Sequence, residues 1–143
     1  KLASVTGQSI FLLGSQEGIA AKAGEQLQKL YPTLVIAGTS SANPDDEWIV
    51  NDIAKSGAAI VLIAYGAPTH DLWIQKNMGS TGAKILVGIG GTFDMLAGRL
   101  PRAPQWMRTL HLEWFWRLLL QPQRIVRIWK AVVVFPLKAL LFK

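Results

Sequence analysis

Four short apolar runs recur at nearly even spacing along the first two thirds of the chain: "IFLL" (10–13), "LVIA" (34–37), "AIVLIA" (59–64) and "KILVGI" (84–89). Hydrophobic and polar positions alternate poorly within them, the pattern of strands buried on both faces of a parallel sheet. Between the runs the period lengthens. Ile19, Ala23, Leu27 and Leu30 recur at steps of four, four and three, which predicts an amphipathic helix. Trp48, Ile49 and Ile53 follow "NPDDE", which offers Asn43 as N-cap, Pro44 at the first helical position and acids in the first turn. A third helix is predicted from about His70 to Met78. The order β-α-β-α-β-α-β is that of an α/β domain, a parallel sheet with right-handed helical crossovers.

Glycine follows each run closely, as Gly14, Gly38, Gly66 and the pair Gly90-Gly91. Glycine serves tight strand-to-helix turns, and it also lets backbone approach a ligand beyond the carboxyl ends of parallel strands. Four at equivalent positions locate a site without naming its ligand. No G-x-G-x-x-G, G-x-x-x-x-G-K-[ST] or G-x-S-x-G pattern is present, so neither a dinucleotide site, a P-loop nor a nucleophile elbow is indicated.

Beyond Gly98, which ends a short helix predicted near Thr92, the character changes. Pro101, Pro104, Pro122 and Pro136 punctuate successive helical stretches that hold four of the six tryptophans, Trp106, Trp114, Trp116 and Trp129. Residues 1–98 carry six Lys/Arg against eight Asp/Glu, whereas residues 99–143 carry nine against Glu113 alone. The net charge of +6 therefore belongs to the last third of the chain, and such asymmetry points to an anionic partner. The division expected is an α/β portion over 1–98 and a basic, Trp-rich helical appendage over 99–143.

Half of the 143 residues are hydrophobic and 17% are charged, enough for one packed domain. The chain has no cysteine and two distant histidines, His70 and His111, which excludes thiolate chemistry and leaves a metal site little to work with. No apolar run approaches the ~18 residues of a spanning helix.

Three clusters carry candidate chemistry. His70-Asp71, in "AYGAPTHDLWIQKN", opens the third helix. It reads either as a helix entry, with Thr69 capping and Asp71 at the positive end of the dipole, or as a ligand-facing corner. Neighbouring helix residues point about 100° apart, which argues against a mutually oriented His–carboxylate pair. Asp94 lies on the first turn after Gly90-Gly91; it is a dipole-compensating acid or an acceptor for a ligand's donor edge. Arg117, Arg124 and Arg127 fall within one broad helical face if the helix continues past Pro122, and such a face can clamp a diphosphate. In the tail "IWKAVVVFPLKALLFK", lysines stand among large apolar residues. That composition suits an interfacial helix on an anionic bilayer, and packing against the core or a second copy is the other way to hide it. The tryptophans occur at helical spacing beside leucines, so they are expected to pack rather than stack on bases, and nucleic acid is not expected as a partner.

"GAPTHDLWI", "VGIGGTFDMLAGRLPRAP" and "LEWFWRLLLQPQR" together resemble the WecG/TagA/CpsF family of bacterial glycosyltransferases, and the similarity reaches back to "IFLLGSQEG". The resemblance implies a Rossmann-like α/β core with no cofactor and no obligatory metal. It implies transfer of an N-acetylmannosamine-type sugar (ManNAc or ManNAcA) from a UDP-sugar to N-acetylglucosamine on a polyprenyl diphosphate. The expected location is peripheral, on the cytoplasmic face of the bacterial plasma membrane, in the synthesis of teichoic acid or other cell-surface polysaccharide. Gly66 and Pro68 match the family's G-x-P turn, and Gly90, Gly91 and Asp94 match its G-G-x-F-D, whose acid is expected to contact the uridine. Arg117, Arg124 and Arg127 match arginines expected to meet the donor diphosphate. Where the family usually writes Gln-Glu, this chain has His70-Asp71. The family's general base is expected upstream of residue 1, together with the N-terminal half of the usual domain, so no residue here is assigned that role. A truncated, non-catalytic UDP- or membrane-binding protein is the alternative.

Overall fold

A computed structural model describes residues 1–101, 103–120, 122 and 125. The chain divides into two compact units, Lys1–Leu100 and Pro101–Lys143.

The first unit contains α1 (Leu2–Thr6), β1 (Ile10–Leu13), α2 (Ile19–Leu30), β2 (Ile36–Ser40), α3 (Trp48–Ser56), β3 (Ile60–Ile63), α4 (Thr69–Asn77), β4 (Ile85–Gly88) and α5 (Thr92–Leu96). The strands form one parallel sheet in the order β2-β1-β3-β4, which is the expected α/β class. Side chains alternate across the sheet. Ile10 and Leu12 pack with Ala20 and Ala23 of α2 and Phe93 of α5 on one face. Phe11, Leu13, Val61 and Ile63 pack with Ile49 and Ile53 of α3 and Trp73 of α4 on the other. The chain thus winds outward from β1 in one direction to β2 and in the other to β3 and β4. The carboxyl ends of β1 and β3 lie on either side of the point where that direction reverses, the crevice in which ligands of open α/β sheets are received.

Several expectations need correction. β2 starts at Ile36, because Leu34 is a buried plug ahead of the strand, its N–H donating to Tyr31 O at 2.9 Å. Only β1 is buried throughout. β4 is an edge strand with an uncovered face, and Ile85 and Val87 are exposed there. Asn43 does not cap α3. Its N–H donates to Asp46 Oδ2 at 2.8 Å and its carbonyl accepts from Asp46 N–H, so "NPDD" closes a turn and the helix starts at Trp48. Thr69 is the first residue of α4 rather than its cap, and no side chain caps that end. The short helix α1 was not anticipated.

The second unit contains α6 (Gln105–Thr109) and α7 (Glu113–Leu120). Between them His111 takes the left-handed conformation, with φ 57°. Trp116 Nε1 donates to Pro101 O at 3.0 Å, and Trp114 meets Phe115 edge to face. Trp106 and Trp114 are 61% and 55% exposed. The expectation that the tryptophans are packed away therefore fails for these two, and aromatic burial is no argument against nucleic acid. Among the described residues no helix is long and apolar enough to cross a membrane.

Candidate active site at the carboxyl end of the sheet

The loop after β1 leaves the sheet through two consecutive left-handed residues, Gly14 (φ 93°) and Ser15 (φ 67°), with Gly14 N–H donating to Ser40 O at 2.8 Å. A side chain at Gly14 would be strained by its φ and would also meet the Tyr65 ring, whose Cδ1 lies 2.9 Å from an added Cβ. After β3 the chain turns at Gly66 (φ 82°) and passes through a cis Ala67–Pro68 peptide into α4. These are the two lips of the crevice.

His70 stands on the first turn of α4, its N–H donating to Gly66 O at 3.0 Å. Its side chain is 12% exposed and lies against Gly88, the last residue of β4, in the space a Cβ would fill. Its Nδ1 is buried without a hydrogen-bond partner among the described residues, an arrangement that is costly unless something else satisfies it. Nε2 faces Asp71 Oδ1 at 3.4 Å. The two side chains do meet, contrary to the expectation drawn from helix geometry, but Asp71 is 67% exposed and the contact is weak.

Asp94 lies on the first turn of α5 with its carboxylate 18% exposed. Strand β4 is at the sheet edge, yet α5 returns across the sheet to pack on α2. That return carries Asp94 to the loop after β1. Arg99 Nη1 donates to Gln16 Oε1 on that loop and lies 3.4 Å from Asp94 Oδ1.

Tyr65 was not singled out in the sequence. Its ring covers Gly14 and meets Trp73 edge to face, with centroids 6.1 Å apart, and its hydroxyl is buried without a partner among the described residues. Burial, and secondarily the negative charge of Asp46, raises its pKa well above the usual phenol value. An aromatic residue next to the Gly66 turn was the available signal. For Gln16 and Arg99, 83 positions apart, there was none.

Gly66, Pro68, His70, Asp71, Gly90, Gly91 and Asp94 thus all belong to the carboxyl end of one sheet. Arg117 lies on α7, but its side chain, like Arg124 and Arg127 entirely, falls outside the described residues, as does the tail. Among the described residues no group of three or more His, Cys, Asp or Glu is placed to hold a metal ion.

Comparison with known proteins decides the affiliation. The profile of the glycosyl transferase WecG/TagA/CpsF family matches residues 1–143. The chain belongs to this family. An N-acetylglucosaminyldiphosphoundecaprenol N-acetyl-beta-D-mannosaminyltransferase of Bacillus subtilis (strain 168) is 34% identical over 132 residues, 92% of this chain and 50% of that one. The Staphylococcus aureus (strain MRSA252) protein of the same name is 31% identical over 139 residues, 96% of this chain and 54% of that one. The Bacillus spizizenii protein is 33% identical over 128 residues, 89% of this chain and 48% of that one. The chain spans about half the length of the curated relatives it matches. WecG/TagA/CpsF membership bears out the resemblance drawn from the sequence motifs.

Proposed function

We propose that this chain carries the donor-binding half of an N-acetylmannosaminyltransferase. The reaction is transfer of an N-acetylmannosamine-type sugar from UDP to N-acetylglucosamine on a polyprenyl diphosphate. The observation that carries the reading is the match of the whole chain to a glycosyltransferase family, with relatives named for that transfer.

The chemistry at the carboxyl end of the sheet is compatible with a nucleotide donor. Asp94 offers carboxylate oxygens to the donor edge of a uracil or ribose. The turn at Gly66 and Pro68 lets backbone come close to the ligand. His70 stands where the family usually has glutamine, with its Nδ1 buried and without a partner among the described residues. As the glycosidic bond to the diphosphate breaks, negative charge accumulates on the leaving UDP. Arg117, Arg124 and Arg127 are proposed to meet it, with no resident metal or cofactor required. The acceptor is bound to lipid, so a peripheral position on the cytoplasmic face of the membrane belongs to the same proposal, and the basic appendage is its contact. Self-association is the other proposed way of covering the apolar residues of the tail sequence.

Calorimetry with UDP, paired with transfer to a lipid-linked N-acetylglucosamine acceptor, tests the reading. UDP binding together with turnover supports it. Binding without turnover fits the donor-binding half as well as a non-catalytic UDP-binding protein, and turnover regained when the upstream half is supplied separates the two; the lack of UDP binding refutes the reading.

A further inference from the structure

Asp94 can recognise a donor only if its carboxylate is held at one place and one rotamer, yet it stands on a five-residue helix that follows an edge strand. Short helices are marginal on their own. Two features fix this one. Asp94 O accepts from both Arg99 N–H, at 2.9 Å, and Leu100 N–H, at 3.1 Å, so the chain after α5 folds back beneath the residue. The Arg99 guanidinium then bridges Gln16 Oε1, on the loop after β1, and Asp94 Oδ1, on α5. One cation thus lies between the loop after β1 and the Asp94 carboxylate, with its shorter contact to Gln16 and a longer one, 3.4 Å, to Asp94. The contact with Arg99 is made by Oδ1, and among the described residues no hydrogen bond is made by Oδ2.

We infer that Arg99 is a positioning residue for donor recognition: it clasps the β1–α2 loop to α5 and turns Asp94 so that Oδ2 faces the nucleoside. This inference rests on the proposed UDP-sugar reading and adds to it a residue that acts through Asp94 rather than on the ligand. Gln16 is part of the clasp. It supplies the acceptor that keeps Arg99 from swinging into solvent, where its half-exposed side chain would otherwise go. Both contacts are made by Nη1, and arginine suits the role because its planar guanidinium fixes the direction of that nitrogen's two N–H groups, whereas a lysine ammonium turns freely on a flexible stem.

The test is a set of UDP affinities measured by calorimetry on the whole chain, wild type against Asp94→Ala, Arg99→Ala, Arg99→Lys, Gln16→Ala and the Asp94→Ala/Arg99→Ala double variant. Thermal melts confirm folding. Arg99→Ala should weaken UDP about tenfold, with Arg99→Lys between it and wild type and Gln16→Ala weakened by less. The double variant should bind no worse than Asp94→Ala alone, because an arginine that acts only through Asp94 has nothing left to position. Losses that multiply in the double variant would mean that Arg99 touches the ligand itself and would overturn the inference. So would an Arg99→Ala variant with wild-type affinity while Asp94→Ala is impaired. A wild-type chain that does not bind UDP fails the donor reading, and the clasp with it. Wild type and Asp94→Ala binding UDP equally well fails the assignment of Asp94 and leaves the donor reading standing.

Discussion

Gly88→Ala isolates one steric fact at the site. Gly88 ends β4, and its φ lies outside the left-handed range, so alanine is tolerated there by the backbone. The obstacle is His70. An added Cβ would come within 2.5 Å of Nε2 and 2.7 Å of Cγ, and closer still to Cδ2. Carbon atoms meet comfortably at about 3.5–4.0 Å, so the ring must shift by more than an ångström or leave its rotamer. Because Cγ itself is involved, a small rotation of the ring tip cannot relieve the contact. Overpacking of this kind costs about 1–3 kcal/mol. In a unit of roughly this size each kcal/mol lowers Tm by about 4–8 °C, so a fall of roughly 10 °C is expected. The assay is thermal unfolding by circular dichroism of wild type, Gly88→Ala, His70→Ala and the double variant. His70→Ala removes the obstructing ring, and the double variant should recover most of the stability lost in Gly88→Ala. A Gly88→Ala protein that melts with wild type refutes the packing. So does a double variant that has lost the sum of the two single losses, since coupled sites must depart from additivity.

Other outcomes follow from the same site and from the appendage. Tyr65 keeps its proton in the folded state to higher pH than an exposed phenol. Above about pH 10 the unfolded chain releases that proton while the folded one holds it, so stability falls as pH rises. Tyr65→Phe should flatten that fall in Tm between about pH 9 and 11, and an equally steep fall in the variant would refute the assignment. At neutral pH the same substitution removes a buried hydroxyl that lacks a partner among the described residues and should be neutral or stabilising by up to about 1 kcal/mol, read from Tm. Arg117→Ala and Arg124→Ala should impair use of the UDP-sugar more than folding; lost thermal stability with unchanged kinetics would remove them from the clamp. Deleting residues 129–143 should release the chain from anionic liposomes in a flotation assay, and unchanged partitioning would remove the tail from the membrane contact.

The fold was legible where burial and periodicity agree. β1 reads to the residue because "IFLL" is buried on both faces, and α2 reads from its four-four-three apolar spacing. β2 was misplaced because an apolar run marks burial, not strand geometry: Leu34 is buried as a plug while the ladder starts later. At "NPDDE" every residue had the preference of a helix start, yet the Asp46 carboxylate closes a turn on Asn43 and uses those signals up. In the site, Gly14, Gly66 and Gly90 gave the location, since turns and close approaches need them, whereas Gly38 does not follow its strand but lies within β2 against the Phe11 ring. The contacts that give the site its shape join residues far apart in sequence. Tyr65 on Gly14, His70 on Gly88 and Arg99 on Gln16 follow from strand order, which local pattern does not encode.

Strand order also explains why the two candidate ligand contacts are held by different means. His70 belongs to α4, whose Trp73 packs on the face carrying Phe11 and Leu13, whereas Asp94 belongs to α5, whose Phe93 packs on the opposite face with Ile10 and Leu12. They approach the carboxyl edge of the sheet from its two sides. On the α4 side the helix starts directly beside the end of its neighbouring strand, and a missing Cβ is enough to seat the imidazole. On the α5 side the helix must cross from the edge strand back to β1, and a side-chain bridge completes what packing leaves loose. Steric seating is insensitive to salt, whereas a partly exposed arginine bridge is screened by it. Rising ionic strength should therefore loosen the Asp94 side before the His70 side. The loss of UDP affinity with salt should be smaller in Arg99→Ala than in wild type, beyond any screening of the ligand's own charge that both share. A salt dependence unchanged by Arg99→Ala would mean that the bridge does not hold the site in solution.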